Sequence, residues 1–300
     1  VIIPSRHERW LSRTIADIFQ HAVGDIEVIA CLDGYLPDPP LPVDQRIVWM
    51  HHDQQIGMRD GINAAARVAS GEFLLKCDGH VSFSEGFDAV LKADCDTDWV
   101  VVPRRMSLDV ETWSRFENGK QPVDQHYLSY PFERPGDIAC GLHGNVWPER
   151  AKRRLDIPID EEMSSQGSCW FLRKAYWDRH AGPYDTARYG STFHQEFQEL
   201  GLKVWLGGGQ VMVNKRCHYL HLHKGKTYGT GYQYSNAEWK AWAAQAACAK
   251  AFTIRYWMLD QWQERTHDLR WLLERFGPIP GWPDLDTAFR TARERLAVTA

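Results

Sequence analysis

The first eighty residues alternate short apolar runs with segments of helical period, and no other feature narrows the fold as much. Val1-Ile2-Ile3 is an apolar run closed by Pro4-Ser5. Over residues 9–22, Trp10, Ile15, Ile18 and Phe19 recur at helical spacing. Residues 26–32 form a second β-rich run, ended by Asp33-Gly34 and a proline-rich turn over 37–42, and residues 46–50 form a third. An alanine-rich helix opens near Gly57 and stops at Gly71, and Phe73-Leu74-Leu75-Lys76-Cys77 then runs into Asp78. Strands linked by helices through connections this short pair side by side in parallel. The pattern predicts an α/β fold with a mostly parallel, doubly wound sheet, and residues 99–102 read as a further strand.

Beyond residue 104 the periodicity dissolves. Residues 104–162 carry prolines, glycines and isolated aromatics such as Trp113, Tyr130 and Trp147, and read as a loop-rich insertion, a form that usually serves function. Residues 169–172 look like a returning strand and 193–203 like a helix; 204–205 and 211–213 read as strands flanking Gly207-Gly208-Gly209. The tail is helical, with Trp239, Trp242, Ala246, Ala249, Ile254, Met258 and Trp262 at helical spacing. The expected division is one domain over 1–235 and a helical C-terminal extension over 236–300.

Composition excludes some classes. The cysteines (31, 77, 95, 140, 169, 217 and 248) are scattered, odd in number and never form C-x-x-C, which argues against a disulfide framework or zinc ribbon and for a reducing compartment. A cytoplasmic location is the expectation. A formal charge of −4 provides no global footprint for nucleic acid. No apolar run approaches the roughly 18 residues of a membrane span, and no segment reads as a signal peptide. Because Val1-Ile2-Ile3-Pro4 already reads as a core strand, a short native N-terminus is expected ahead of it.

Asp78-Gly79-His80 stands where the strand ending at Cys77 runs out. A carboxylate and an imidazole two residues apart suit a hard-to-borderline divalent cation such as Mn²⁺ or Mg²⁺. The carboxyl end of a strand is also where open α/β sheets place their chemistry. The competing reading is a turn with a solvated acid and histidine.

The ordered set of motifs resembles the GT-A glycosyltransferases. Val1-Ile2-Ile3-Pro4-Ser5-Arg6-His7-Glu8 is similar to their V-I-I-P-x-x-N-E opening, and Ala30-Cys31-Leu32-Asp33-Gly34 to their V-D-D-G element with only the second acid kept. The stretch from Gly57 through Asn63 to Ser70-Gly71-Glu72-Phe73 is similar to G-x-x-x-A-x-N-x-G…A-x-G-E-Y. Within that superfamily the metal motif looks closer to the polypeptide N-acetylgalactosaminyltransferases than to the cellulose- and hyaluronan-synthase branch: Asp78-Gly79-His80 matches their D-x-H. Glu196-Phe197-Gln198-Glu199-Leu200 through Trp205 matches E-N-L-E-L…W, and Arg216-Cys217-His218-Tyr219-Leu220-His221 falls at their V-G-H. Phage-encoded glycosyltransferases share the layout, including a Q-G-S-C element like Gln166-Gly167-Ser168-Cys169. The stretch 104–162 has no counterpart.

The resemblance implies a Mn²⁺ (or Mg²⁺) ion held by Asp78, His80 and His221, with His218 and His223 as competitors for the third place. It implies a UDP-sugar donor whose base and ribose meet Pro4, Ser5 and Asp33, while Arg59 and Lys224 reach nucleotide or phosphates. For Asp33 the alternative is a turn acid, and for Arg59 a surface helix arginine. Glu196 is the candidate for hydrogen bonds to sugar hydroxyls, while Glu199 can simply pair with Lys203 one turn on. Inverting relatives carry a general-base Asp after the first acid, and here Phe197 occupies that position and cannot take a proton. Retention of anomeric configuration is favoured, with Glu196 as a displaced base keeping inversion open. Lys224, Lys226 and the loop 225–234 suit a lid over the donor. The tail tryptophans suit core packing, or else acceptor binding.

These readings converge on a metal-dependent sugar transfer from a nucleotide-sugar to an acceptor hydroxyl. The phage-like layout points to the hydroxymethyl group of a modified pyrimidine in DNA, which would place the enzyme in a host cytoplasm; Arg104, Arg105, Arg150, Lys152, Arg153 and Arg154 are candidates to meet phosphate. A protein or glycan hydroxyl is the alternative acceptor. The rivals from other classes are a nucleotide- or glycan-binding module without turnover, and a nucleotidyltransferase, whose glycine-rich phosphate loop is missing near the N-terminus.

Overall fold

The computed structural model describes residues 1–117, 119, 121–132, 141–228 and 235–297. β1 (Ile2–Ser5), α1 (Leu11–His21), β2 (Val28–Asp33), β3 (Ile47–His52), α2 (Met58–Val68) and β4 (Phe73–Cys77) follow in the order expected from the sequence. β1 pairs parallel with both β2 and β4, and β3 extends the sheet parallel to β2. Successive strand residues face opposite sides. Ile3, Ala30 and Leu32 pack with Leu11, Ile15 and Ile18 of α1. Ile2, Ile29 and Cys31 pack with Ile62, Ala65 and Ala66 of α2. Both faces of the sheet are therefore covered, which is why β2 is buried along its whole length and reads as an apolar run up to Asp33.

The chain continues through β5 (Val81–Phe83), α3 (Phe87–Ala93), β6 (Trp99–Asp109), β7 (Ser114–Arg115), β8 (His126–Leu128), β9 (Gly144–Val146), α4 (Pro148–Arg153), β10 (Ile159–Glu161) and β11 (Cys169–Arg173). After α5 (Lys174–Tyr176), a π-helical turn Trp177–Ala181 and α6 (Thr186–Tyr189) come α7 (Glu196–Leu206), β12 (Gln210–His221) and α8 (Gly225–Tyr228). The tail forms α9 (Asn236–Met258), α10 (Leu269–Phe276) and α11 (Leu285–Ala297). The main sheet runs β10-β12-β6-β11-β4-β1-β2-β3, with β5 added to β12. β11 enters antiparallel between β4 and β6, and β12 lies parallel to β6.

Two sequence expectations are corrected. Residues 104–109 are not loop but the second half of β6, so Arg104 and Arg105 sit on a strand paired to His218 and Tyr219. Val204-Trp205 is not a strand; both lie in α7, where every residue except Lys203 is buried. A helix covered all round has no polar face, so its apolar run carries no period by which to tell helix from strand.

The C-terminal helices share a core with the sheet layer. Trp257, Trp262, Leu272 and Phe276 cluster with Trp177, Leu200 and Trp205. α9 opens on a capping box in which Ser235 and Glu238 satisfy each other's backbone N–H. Among the described residues, no helix is long and apolar enough to cross a membrane.

Candidate active site

Three separate chain segments deliver the metal-ligand candidates to one point. Asp78 follows the last residue of β4, and its N–H donates to the Ser168 carbonyl at 3.0 Å. His80 precedes β5, and β5 pairs antiparallel with β12 so that His221 faces Val81. The ligand atoms of Asp78, His80 and His221 all lie within 4.8 Å of one another. His221 Nε2 is 3.2 Å from Asp78 Oδ2, and His80 Nε2 is 3.8 Å from the same oxygen. His218 and His223 are not in this cluster; His218 pairs with Arg104 along β12.

The surroundings suit a divalent cation. His80 Nδ1 donates to Glu8 Oε2 at 2.9 Å, which turns Nε2 toward the cluster, the usual arrangement behind a metal-bound imidazole. Burial pushes the His221 imidazole down to about 3, so it is neutral and offers a lone pair, and its Nδ1 is buried with no hydrogen-bond partner among the described residues. Partial burial raises the Asp78 carboxyl, but Lys76 and the two imidazoles outweigh it and hold it well below the usual range. Gly79 makes the approach feasible: a Cβ there would sit 2.7 Å from Glu8 Cγ.

Lys76 was not singled out by the sequence reading, and it organises the floor of this site. Its side chain is fully buried, and Nζ donates to Asp78 Oδ1 at 2.9 Å and to the Gly167 carbonyl, with Glu196 Oε2 at 3.6 Å. Burial pulls the ammonium down, but Asp78 and then Glu196 outweigh it and hold it above the usual lysine range. Because Lys76 holds Oδ1, Asp78 presents Oδ2 to the imidazoles. The available signal was a lone lysine inside an apolar strand, since a lysine is seldom fully buried unless paired.

Glu196 is also fixed in place. Trp170 Nε1 and Tyr184 Oη donate to its Oε1 at 2.9 and 2.8 Å. Gly167 gives it room, because a Cβ at that position would lie 2.0 Å from Glu196 Oε2. This accounts for the glycine of the Gln166-Gly167-Ser168-Cys169 element.

The remaining expected donor contacts divide. Pro4, Ser5, Asp33 and Lys224 line the same cleft as the cluster. Asp33 Oδ1 accepts from the backbone N–H of Ile56 and Gly57 at 2.7 and 3.3 Å, which ties the entry of α2 to the end of β2. Lys224 Nζ donates to Glu8 Oε2 at 2.6 Å, so Glu8 joins His80 to Lys224. Arg59 is placed elsewhere. It is fully buried, paired with Glu199, and donates to the carbonyls of Thr192 and His194 at 3.1 and 2.9 Å. Tyr189 and Tyr184 lie 4.6 and 5.1 Å from its guanidinium. Arg59 is thus turned into the core rather than toward a nucleotide, and what it holds is the loop before α7. Of the loop 225–234, residues 229–234 and the Lys226 side chain lie outside the described residues.

The basic residues of the unmatched stretch are mostly engaged. Arg104 makes two hydrogen bonds to Asp124 at 2.8 and 2.7 Å, and Arg105 is buried against Gln166. Arg150 meets Glu161 and Arg154 meets Asp160. Lys152 and Arg153 are exposed.

Asp78, His80 and His221, with Glu8, Lys76, Glu196, Asp33 and Lys224, open on one cleft of about 800 Å³, within the usual range for a small-molecule site. Its far wall is built by His143, the loop before α7, and the α9 residues Trp242, Gln245 and Lys250. Among the tail tryptophans, Trp257 and Trp262 are core, whereas Trp242 lines the cleft.

No protein-family model matches the sequence, and no curated protein does. Solved structures match in shape. GalNAc-T7 with UDP, GalNAc and Mn²⁺ superposes with a TM-score of 0.57 at 12% identity, over 98% of this chain and 54% of that one. Mannosyltransferase PcManGT from Pyrobaculum calidifontis, in complex with GDP-Man and Mn²⁺, superposes with a TM-score of 0.54 at 13% identity, over 99% and 73%. The chain spans about half the length of the first of these. At such identity the likeness is one of fold, and that fold is GT-A, as the motifs of the sequence implied.

Proposed function

We propose that the protein is a metal-dependent glycosyltransferase that moves a sugar from a nucleotide-sugar to an acceptor hydroxyl. The observation that carries this reading is the cluster of Asp78, His80 and His221 at the end of β4, backed by Glu8 and facing into the cleft. Mn²⁺ accompanies UDP in the GalNAc-T7 structure and GDP-Man in the mannosyltransferase. The donor proposed here is a UDP-sugar. A divalent cation at the cluster would supply Lewis-acid stabilisation of the leaving diphosphate.

The chain's own residues do the rest. Lys76 holds one oxygen of Asp78 and Glu8 aims His80, so the ligand set is oriented before anything binds. Lys224, anchored on Glu8 and lining the cleft, is the residue proposed to meet phosphate. Glu196, which lines the cleft and leaves Oε2 to Lys76, would be the acceptor for a sugar hydroxyl. In the transfer, the bond from the sugar's anomeric carbon to diphosphate breaks and a bond to the acceptor oxygen forms. Phe197 is buried and aprotic, and Glu196 is pinned by Trp170 and Tyr184. This supports retention, with the acceptor proton leaving on the diphosphate.

The hydroxymethylpyrimidine acceptor expected from the sequence draws little support from the basic residues, because Arg104, Arg105, Arg150 and Arg154 are held by internal partners. Incubation with Mn²⁺ and a panel of UDP- and GDP-sugars, with nucleotide release and the anomeric proton coupling of the product as readouts, tests the whole reading. Release that needs the metal and is lost in Asp78→Asn is the expected result. A chain that binds nucleotide but never releases it from the sugar is a binding module instead.

A further inference from the structure

The half of the cleft away from the metal cluster contains groups to which sugar-donor chemistry gives no role. Gln195 caps α7 in the left-handed region, with φ 59°. It is only 5% exposed, lines the cleft, and its Oε1 has no hydrogen-bond partner among the described residues. A buried amide oxygen left without a donor, on a strained backbone beside a reactive site, is poised for a ligand's hydroxyl or N–H.

Next to it stands an aromatic wall. Phe193 is 41% exposed and stacks on His194 at 4.5 Å. Trp242 from α9 meets His194 edge-on at 4.5 Å and lies 5.8 Å from Phe193. Arg59 fixes the carbonyls on either side of Phe193, so this apolar side chain is presented on a rigid loop.

The charge of this half is low. Burial first, and then Lys250, push the His194 imidazole down to about 4 and lower that of His143, so both are neutral at pH 7. Glu196 is balanced by Lys76, and Lys250 is the one ammonium on this side among the described residues. A strand of nucleic acid needs a basic track along its phosphates. A cationic peptide needs a set of acids. Among the described residues, the α9 wall offers a single acid, Glu238, which is paired with Arg6 of the same cleft, and no basic track. Aromatic faces beside neutral amides, imidazoles and hydroxyls fit a sugar ring, which has an apolar C–H face and a belt of hydroxyls.

We propose that this half is a subsite for a neutral saccharide acceptor, whose ring packs on Phe193 and Trp242 and donates a hydroxyl to Gln195 Oε1, bringing its reacting hydroxyl beside Glu196. This rests on the transferase reading of the same cleft. It also gives α9 a role in acceptor choice.

The test uses the full chain with Mn²⁺ and UDP, and neutral disaccharides (lactose, cellobiose and maltose) observed by saturation-transfer NMR. A hydroxymethylated DNA duplex and a serine/threonine peptide serve as rival ligands, followed by anisotropy. The expected result is disaccharide binding that weakens about tenfold in Trp242→Ala and in Gln195→Asn, which tolerates the left-handed backbone, and returns in Trp242→Phe. Binding of DNA or peptide in place of the disaccharides overturns the proposal. So does disaccharide binding that Trp242→Ala and Gln195→Asn leave unchanged, with folding verified by thermal melts. Turnover is read separately from UDP-sugar release. Disaccharide binding without release defeats the transferase reading alone, and release without disaccharide binding defeats the subsite alone.

Discussion

Replacing Lys76 with methionine tests the organisation of the site floor most directly. The lysine is fully buried and its ammonium is shared by Asp78 Oδ1 at 2.9 Å and Glu196 Oε2 at 3.6 Å. Removing one partner of a buried charge pair costs about 3–5 kcal/mol, mostly for the charge left behind. Here the lower end applies. Asp78 keeps His221 and is 24% exposed, so water reaches it, and Glu196 keeps Trp170 and Tyr184. An unfolding entropy of about 2.1 cal/mol/K per residue makes each kcal/mol roughly 1.6 °C for a chain of 300 residues. Lys76→Met is therefore expected to lower Tm by about 5 °C. The melts belong in EDTA, so that metal linkage does not enter. Adding Glu196→Gln removes one of the two abandoned charges and should restore about 1–2 kcal/mol. A single variant costing less than about 1 kcal/mol, the range of an exposed pair, or a double variant no more stable than the single, refutes the account.

Three further outcomes follow from the same geometry. Glu8→Leu should weaken Mn²⁺ binding about 10–100-fold by electron paramagnetic resonance titration, since it frees the His80 ring, and Gly79→Ala should move affinity the same way by displacing Glu8; unchanged affinity in both would remove Glu8 from the site. Arg59→Met should destabilise the chain by about 2–4 kcal/mol in urea unfolding, because Arg59 ties Glu199 to the loop before α7; a donor KM that rises with no loss of stability would return Arg59 to the nucleotide. Stability should fall as pH drops from about 6.5 toward 4, because the unfolded chain takes a proton at the ordinary histidine value while burial holds folded His194 neutral to about 4. His194→Asn should flatten that slope in denaturant midpoints, and an identical slope would refute the assignment.

β1 to β4, with α1 and α2 between them, were legible in the sequence because each depends on neighbours a few residues away: a period of two or 3.6, a glycine stop, a proline turn. Asp78-Gly79-His80 was legible for the same reason, being a ligand pair in one turn at a strand end. His221 was favoured over His218 and His223 only by the V-G-H resemblance; its place beside the pair became visible once β5 paired with β12. The α7 helix was misread after Lys203 because burial on all sides erased its period.

What tertiary structure alone decided is where each charge finds its partner. Glu8 and Lys224 are 216 residues apart, Arg59 and Glu199 are 140 apart, and Arg104, Arg150 and Arg154 turned to acids that local sequence could not assign to them. Apolar period and turn chemistry are properties of a short segment and can be read along the chain. The pairing of a buried ion is a property of the packed interior, where removal from water forces each charge onto whichever partner the fold brings within reach.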